Sequence, residues 1–173
     1  MSALAGPWTI VTGLLLLGGA LKAAQPADTA RALDALGLRG STALVRAGGV
    51  AEVGIAAGAL VTGAWPFAAL VAISYLLFLA FVAAALRSRT PLSSCGCFGH
   101  ADTPPTLIHA GIDAAAAGVA LAAVVAPLPS VASILADQPW WGIPFLFLAV
   151  VGVYLVFLVL SALPRVFAEW GAA

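Results

Sequence analysis

Apolar residues fall into five long runs separated by short polar stretches, and the length of each run decides how it is read. Runs covering residues 7–24, 45–64, 66–86, 106–126 and 141–163 are each about 20 residues long. That is the length an α-helix needs to cross a hydrocarbon layer about 30 Å thick. Backbone groups in lipid must find their partners within the segment, so runs of this kind are expected to be helices. The fifth run is the most apolar. Pro66, directly after Trp65, leaves little chain between the second and third runs, so these are expected to be antiparallel neighbours. Small residues recur inside the runs, as at Gly13, Gly18, Gly19, Gly54, Ala57 and Gly58. They permit helices to approach closely, so the expected product is a compact bundle. The stretch 26–44 alternates Ala30, Leu33, Leu36 and Leu38 with Arg31, Asp34 and Arg39, a pattern suited to a short helix lying in the membrane interface over the bundle.

Composition agrees with the pattern. Of the 173 residues, 63% are hydrophobic and only 8% charged, whereas an ordinary soluble domain has about 25% charged residues. The expectation is an all-α membrane protein, with residues 1–173 forming a single integral membrane domain. The first run lacks a basic leader, and the sequence after it is a poor cleavage context, so it is read as a membrane helix rather than a signal peptide. The formal net charge is zero and there is no basic tract, which points away from nucleic acid as a partner and leaves membrane lipid as the obvious one.

The distribution of charge adds an orientation. All seven basic residues, Lys22, Arg31, Arg39, Arg46, Arg87, Arg89 and Arg165, fall at alternate ends of consecutive runs, which is one side of the membrane. Lys and Arg beside spans are retained in the cytoplasm. With five spans this puts the N-terminus outside and the C-terminus inside, in a bacterial inner membrane. Trp8, Trp65, Trp140 and Trp141 fall at the opposite ends, as an outer interfacial aromatic belt would have them.

Ionisable residues within the runs gather at the inner end. An intramembrane charge costs at least about 2.5 kcal/mol on insertion scales, so such groups usually face a bundle interior and often a site. Lys22 lies one turn from the end of the first run, where it could either snorkel to the headgroups or pair inward. Glu52 lies about 9 Å along its helix from Arg46 at 1.5 Å per residue, too deep to snorkel easily. A buried pair with Lys22 or an arginine is expected for it. His109 and Asp113 open the fourth run at i and i+4 and so share a face, either capping that helix or handling protons. Tyr75, in the middle of the third run, reads as helix packing.

The remaining chemistry is in the loop between the third and fourth runs, where Cys95-Gly96-Cys97-Phe98-Gly99 holds the only two cysteines. One glycine between two cysteines lets a small, strained disulfide ring close, and strain makes such a bond easy to reduce. That suits thiol–disulfide exchange, in which a thiolate attacks a disulfide through a mixed intermediate. Arg87 and Arg89, besides signalling topology, would favour thiolate over thiol. The same sulfurs could instead clamp a soft metal such as copper or mercury, with His100 or His109 as a further ligand, in a binding or transport protein. A third reading is a non-catalytic assembly subunit with incidental cysteines. No cofactor motif is evident. A single dithiol cannot carry electrons across 30 Å, so a redox role calls for a second redox site, a quinone or a thioredoxin-like partner, while a soft metal would be the cofactor of the metal-binding reading.

The motif CGCFG in this position, the opening LLLLGGALKAAQP with a lysine closing the first span, and RAGGVAEVGIAAGAL with a glutamate inside the second resemble the MauE branch of the DoxX-like membrane proteins. The likeness covers residues 8–126. It implies a DoxX-like four-helix transmembrane bundle, here extended by a fifth transmembrane helix, and a role in thiol–disulfide transfer beside a thioredoxin-like protein. By the same resemblance Cys95 and Cys97 are the redox pair, and Lys22 and Glu52 match polar positions of the family core. The fourth span departs from the pattern, with His109 and Asp113 where many relatives carry an Arg-Asn pair. One tension follows. A dithiol serving an exported substrate should reach the outer side, yet the charges place this loop inside.

Overall fold

In the computed structural model, residues 3–88, 104–126 and 128–162 are described. They form α1 (Ala5–Ala24), α2 (Pro26–Ala35), α3 (Thr42–Thr62), α4 (Trp65–Arg87), α5 (Leu107–Val125), α6 (Val131–Ala136) and α7 (Ile143–Ser161), with a 3-10 turn at Pro139–Gly142 before α7. No strand occurs among the described residues. Five helices, α1, α3, α4, α5 and α7, are long and apolar enough to cross a membrane.

Local sequence sets where the helices begin and end. Prolines stand in the first turns of α2, α4 and α7, where a missing N–H costs nothing because no partner exists there. Gly63 closes α3 in the left-handed conformation at φ 65°, its N–H donating to the Ala59 carbonyl, so only two residues separate α3 from α4.

Pairwise packing turns these helices into a closed ring. α1 packs along α3 and α4 along α5, while α3 against α4 and α1 against α5 join the two pairs. The α4–α5 seam is built from small residues, with Ala68, Ala72, Ala116, Ala117, Ala120 and Ala123 buried in the common core beside Leu15, Val71 and Tyr75. Without a hydrophobic drive between helices in lipid, such close contact is what holds a seam. Trp8 is part of this core and only 3% exposed, so it is not a member of the expected interfacial belt. The helix brings its indole face inward, a rotation that an evenly apolar sequence does not signal. Trp65, Trp140 and Trp141 do stand exposed at that end.

α7 lies outside the ring and packs mainly on α1, where Gly13 faces Val153 and Gly152 faces Ile10. Most of its surface, including Phe147, Val150, Tyr154 and Leu155, is exposed and apolar, the face that lipid would cover. α2 packs against α3 and α1, burying Ala30 and Ala32, with an Arg31–Asp28 ion pair on its outer side.

Candidate functional site

The first shared feature of the interior is made by backbones that nearly touch. Gly19 on α1 and Gly49 on α3 meet so closely that a Cβ at Gly19 would lie 2.8 Å from both the Glu52 Cβ and the Gly49 carbonyl. A Cβ at Gly49 would lie 2.6 Å from the Gly19 carbonyl. This crossing fixes α3 against the last turn of α1, three residues from Lys22 on one helix and from Glu52 on the other. The Lys22 ammonium sits 2.6 Å from both carboxylate oxygens of Glu52, donating a hydrogen bond to Oε1 and holding Oε2 as an ion-pair contact. Its Nζ also lies 4.1 Å from the centroid of the Phe78 ring on α4, a cation–π contact. Lys22 is only 6% exposed. Of the two readings open for it, inward pairing holds and snorkelling does not. Arg46 is occupied elsewhere, its Nε donating to the Ala23 carbonyl at 3.2 Å.

Glu52 stands between two cavities. The larger, of about 230 Å³, is bounded by α2, α3 and α4 with Lys22, Gly48, Phe78 and Phe81 among its walls. The smaller, of about 20 Å³, is lined by Glu52, Tyr75, Phe78, His109, Asp113 and Leu160. His109 and Asp113 thus share a buried face of α5, as their spacing predicts, and that face meets the carboxylate of Glu52 across the small cavity. The residue before α5 sets the imidazole: Thr106 Oγ1 is 2.9 Å from His109 Nδ1 and makes no capping bond to the helix backbone. His109 Nε2, wholly buried, makes no hydrogen bond among the described residues. About 20 Å³ is room for one water. Tyr75 does more than pack, because its hydroxyl donates to the Val11 carbonyl at 2.7 Å and ties α4 to α1. Thr106, Phe78 and Gly48 are absent from the residues singled out by sequence. For Thr106 a signal existed, a hydroxyl three residues before a histidine at a helix start; for Phe78 and Gly48 there was none, since only the fold apposes them to Lys22.

Arg87 is the last residue of α4 and exposed. Arg89, Cys95, Cys97 and His100 lie outside the described residues. The segment carrying them leaves α4 at Ser88 and returns at Pro104, and both of these points are at the bundle end that holds Lys22, Glu52, His109 and Asp113.

A family model described as methylamine utilisation protein MauE matches residues 2–129, a range that takes in α1 to α5 and stops before α6. No curated protein and no solved structure matches the chain.

Proposed function

The chain belongs to the MauE family and is a multi-pass membrane protein, and from that premise we propose that it is a thiol–disulfide exchange component working through Cys95 and Cys97. In its oxidised form the pair takes two electrons and two protons from the dithiol of a partner. A partner thiolate attacks one sulfur, a mixed disulfide forms, and the partner's second thiol resolves it. The partner leaves as a disulfide and Cys95 and Cys97 as thiols. A thioredoxin-like protein is the partner whose chemistry fits.

The observation that carries this reading is convergence. Ser88 and Pro104, which flank the cysteine motif in sequence, lie at the end of the bundle where Lys22, His109 and Asp113 are buried and Glu52 is half-buried. An exchange reaction needs proton donors and acceptors near the sulfurs, and Glu52, His109 and Asp113 are side chains at that end able to serve. Arg87 at the close of α4 adds a positive charge on the approach to the pair. The same end carries Arg31, Arg39 and Arg46, so the reading includes a bacterial inner membrane with this end in the cytoplasm.

Thiol trapping of the purified protein across a series of redox buffers tests it. A reversible two-electron transition, lost when either Cys95 or Cys97 is replaced by serine, is the expected result. No transition, with stoichiometric copper or mercury retained by the reduced protein, would transfer the pair to metal binding.

A further inference from the structure

We propose that the groove between α2 and the second half of α4 binds one anionic phospholipid, with an acyl chain lying along α4 and the phosphate held by Arg39 and Arg87. This site rests on the described residues alone and is independent of the cysteine reading.

The groove has the depth of a lipid chain. Its volume is about 700 Å³, with Leu33, Leu36 and Leu38 on one side and Leu77, Phe81 and Ala84 on the other. Ser88, at its end, is the one polar residue in its lining. Leu77, Phe81, Ala84 and Ser88 follow one another at intervals of three or four residues, so they form a single stripe of α4. At 1.5 Å per residue the stripe is roughly 16 Å long. One leaflet supplies half of a hydrocarbon layer about 30 Å thick, which is nearly the same depth. A chain in the groove therefore ends its hydrocarbon where α4 ends and brings its headgroup level with Ser88. The neighbouring chamber lined by Lys22, Thr29 and Glu52 has only Leu33, Leu77 and Phe81 in common with the groove, so the ion pair is no part of this site.

Charge at that level selects the head. Arg87 follows Ala84 by three residues and so belongs to the same stripe, and a helical side chain leans toward the N-terminal end of its helix, here back over the groove. Arg39 directly follows Leu38 of the opposite wall. Both arginines are exposed, and neither forms an ion pair among the described residues. The other described arginines are occupied, Arg31 by Asp28 and Arg46 by the Ala23 carbonyl. Asp34, between Leu33 and Ala35, accepts a hydrogen bond from the Gly40 N–H. Two guanidinium groups against one carboxylate leave a positive excess, which the phosphate of a lipid with an uncharged glycerol head balances. A choline or ethanolamine head would bring its own cation to the same place. Guanidinium also matches phosphate in geometry, since its forked N–H groups bind two oxygens at once.

Native mass spectrometry of the delipidated full chain tests the head and the chain separately. Dioleoylphosphatidylglycerol is expected to remain bound as a single copy and to bind tighter than dioleoylphosphatidylcholine. Arg39→Gln and Arg87→Gln should each weaken it about tenfold, the usual effect of losing a hydrogen bond between charged groups. Arg31→Gln removes the same charge from a side chain already paired with Asp28 and should leave it unchanged. Ala84→Phe should weaken both lipids by obstructing the chain, while Ala115→Phe, at an exposed position of α5, should weaken neither. Equal affinity for the two lipids, arginine variants that lose no more than Arg31→Gln, or unchanged binding in Ala84→Phe would each overturn the assignment and leave the groove to bulk lipid. Full competition by glycerophosphoglycerol, which has the head without the chains, would overturn it as well. Should Ala84→Phe fail to fold, a phosphatidylglycerol with a photoreactive acyl chain decides on the wild-type chain: adducts on the end of α2 and the second half of α4 support the site, and adducts elsewhere reject it.

Discussion

Lys22 and Glu52 form an ion pair between two membrane-spanning helices, with side chains 7% and 15% exposed. Each alone would cost at least about 2.5 kcal/mol in the hydrocarbon, and each is tolerated because the other is 2.6 Å away. Removing one partner leaves a buried charge without its counterion, an effect worth about 3–5 kcal/mol, while replacing both with apolar groups of similar size is often neutral. Lys22→Met is therefore expected to lower the unfolding free energy in micelles by about 3–5 kcal/mol. Lys22→Met combined with Glu52→Leu should recover most of that loss, and a double variant as unstable as the single one would show that the ions do more than cancel. Sequence showed that these residues were costly where they stood, since a lysine and a glutamate in apolar runs demand an explanation. It could not choose between Lys22 and an arginine as the partner of Glu52, because that choice depends on the crossing at Gly19 and Gly49.

At the scale of helices, the crossing itself is the next element to fail. A Cβ at Gly19 would press on the Glu52 Cβ and the Gly49 carbonyl at 2.8 Å, and that backbone carbonyl cannot rotate away as a flexible side chain could. Gly19→Ala is expected to destabilise the bundle by about 1–3 kcal/mol, the usual cost of overpacking a tight contact. Gly54→Ala, which meets open space, should be nearly silent in the same thermal unfolding measurement. Equal losses at both positions would mean that α1 and α3 do not meet as described. Run length marked five long helices, because twenty apolar residues in lipid have one backbone solution. It did not give the rotation of each helix about its axis. In a soluble protein the polar face supplies that information, but α1 is apolar nearly all round, and so Trp8 reads as an interfacial residue although it is buried. On α5 the two polar residues His109 and Asp113 do mark a face, and there the expected side is the one that turns inward.

For the molecule as a whole, the alternation of five spans separates two chemically different ends. Lys22, Arg31, Arg39, Arg46 and Arg87 occupy one; Trp65, Trp140, Trp141 and the short α6 occupy the other. Ser88 and Pro104, the described residues on either side of the cysteine motif in sequence, both lie at the basic end, so on the proposed reading the protein's orientation decides which compartment the cysteines serve. Arginine retention predicts the cytoplasm. Ser41, exposed at the start of α3, and Ser133, exposed in α6, report the two ends without touching the ion pair or either cavity. In a Cys95→Ser, Cys97→Ser background, a membrane-impermeant maleimide applied to spheroplasts should label Ser133→Cys at once and Ser41→Cys only after permeabilisation. The opposite pattern would put the dithiol on the outer face. Exchange with an exported partner would then need no further carrier, whereas the expected pattern restricts Cys95 and Cys97 to cytoplasmic thiols unless a second redox group spans the bilayer.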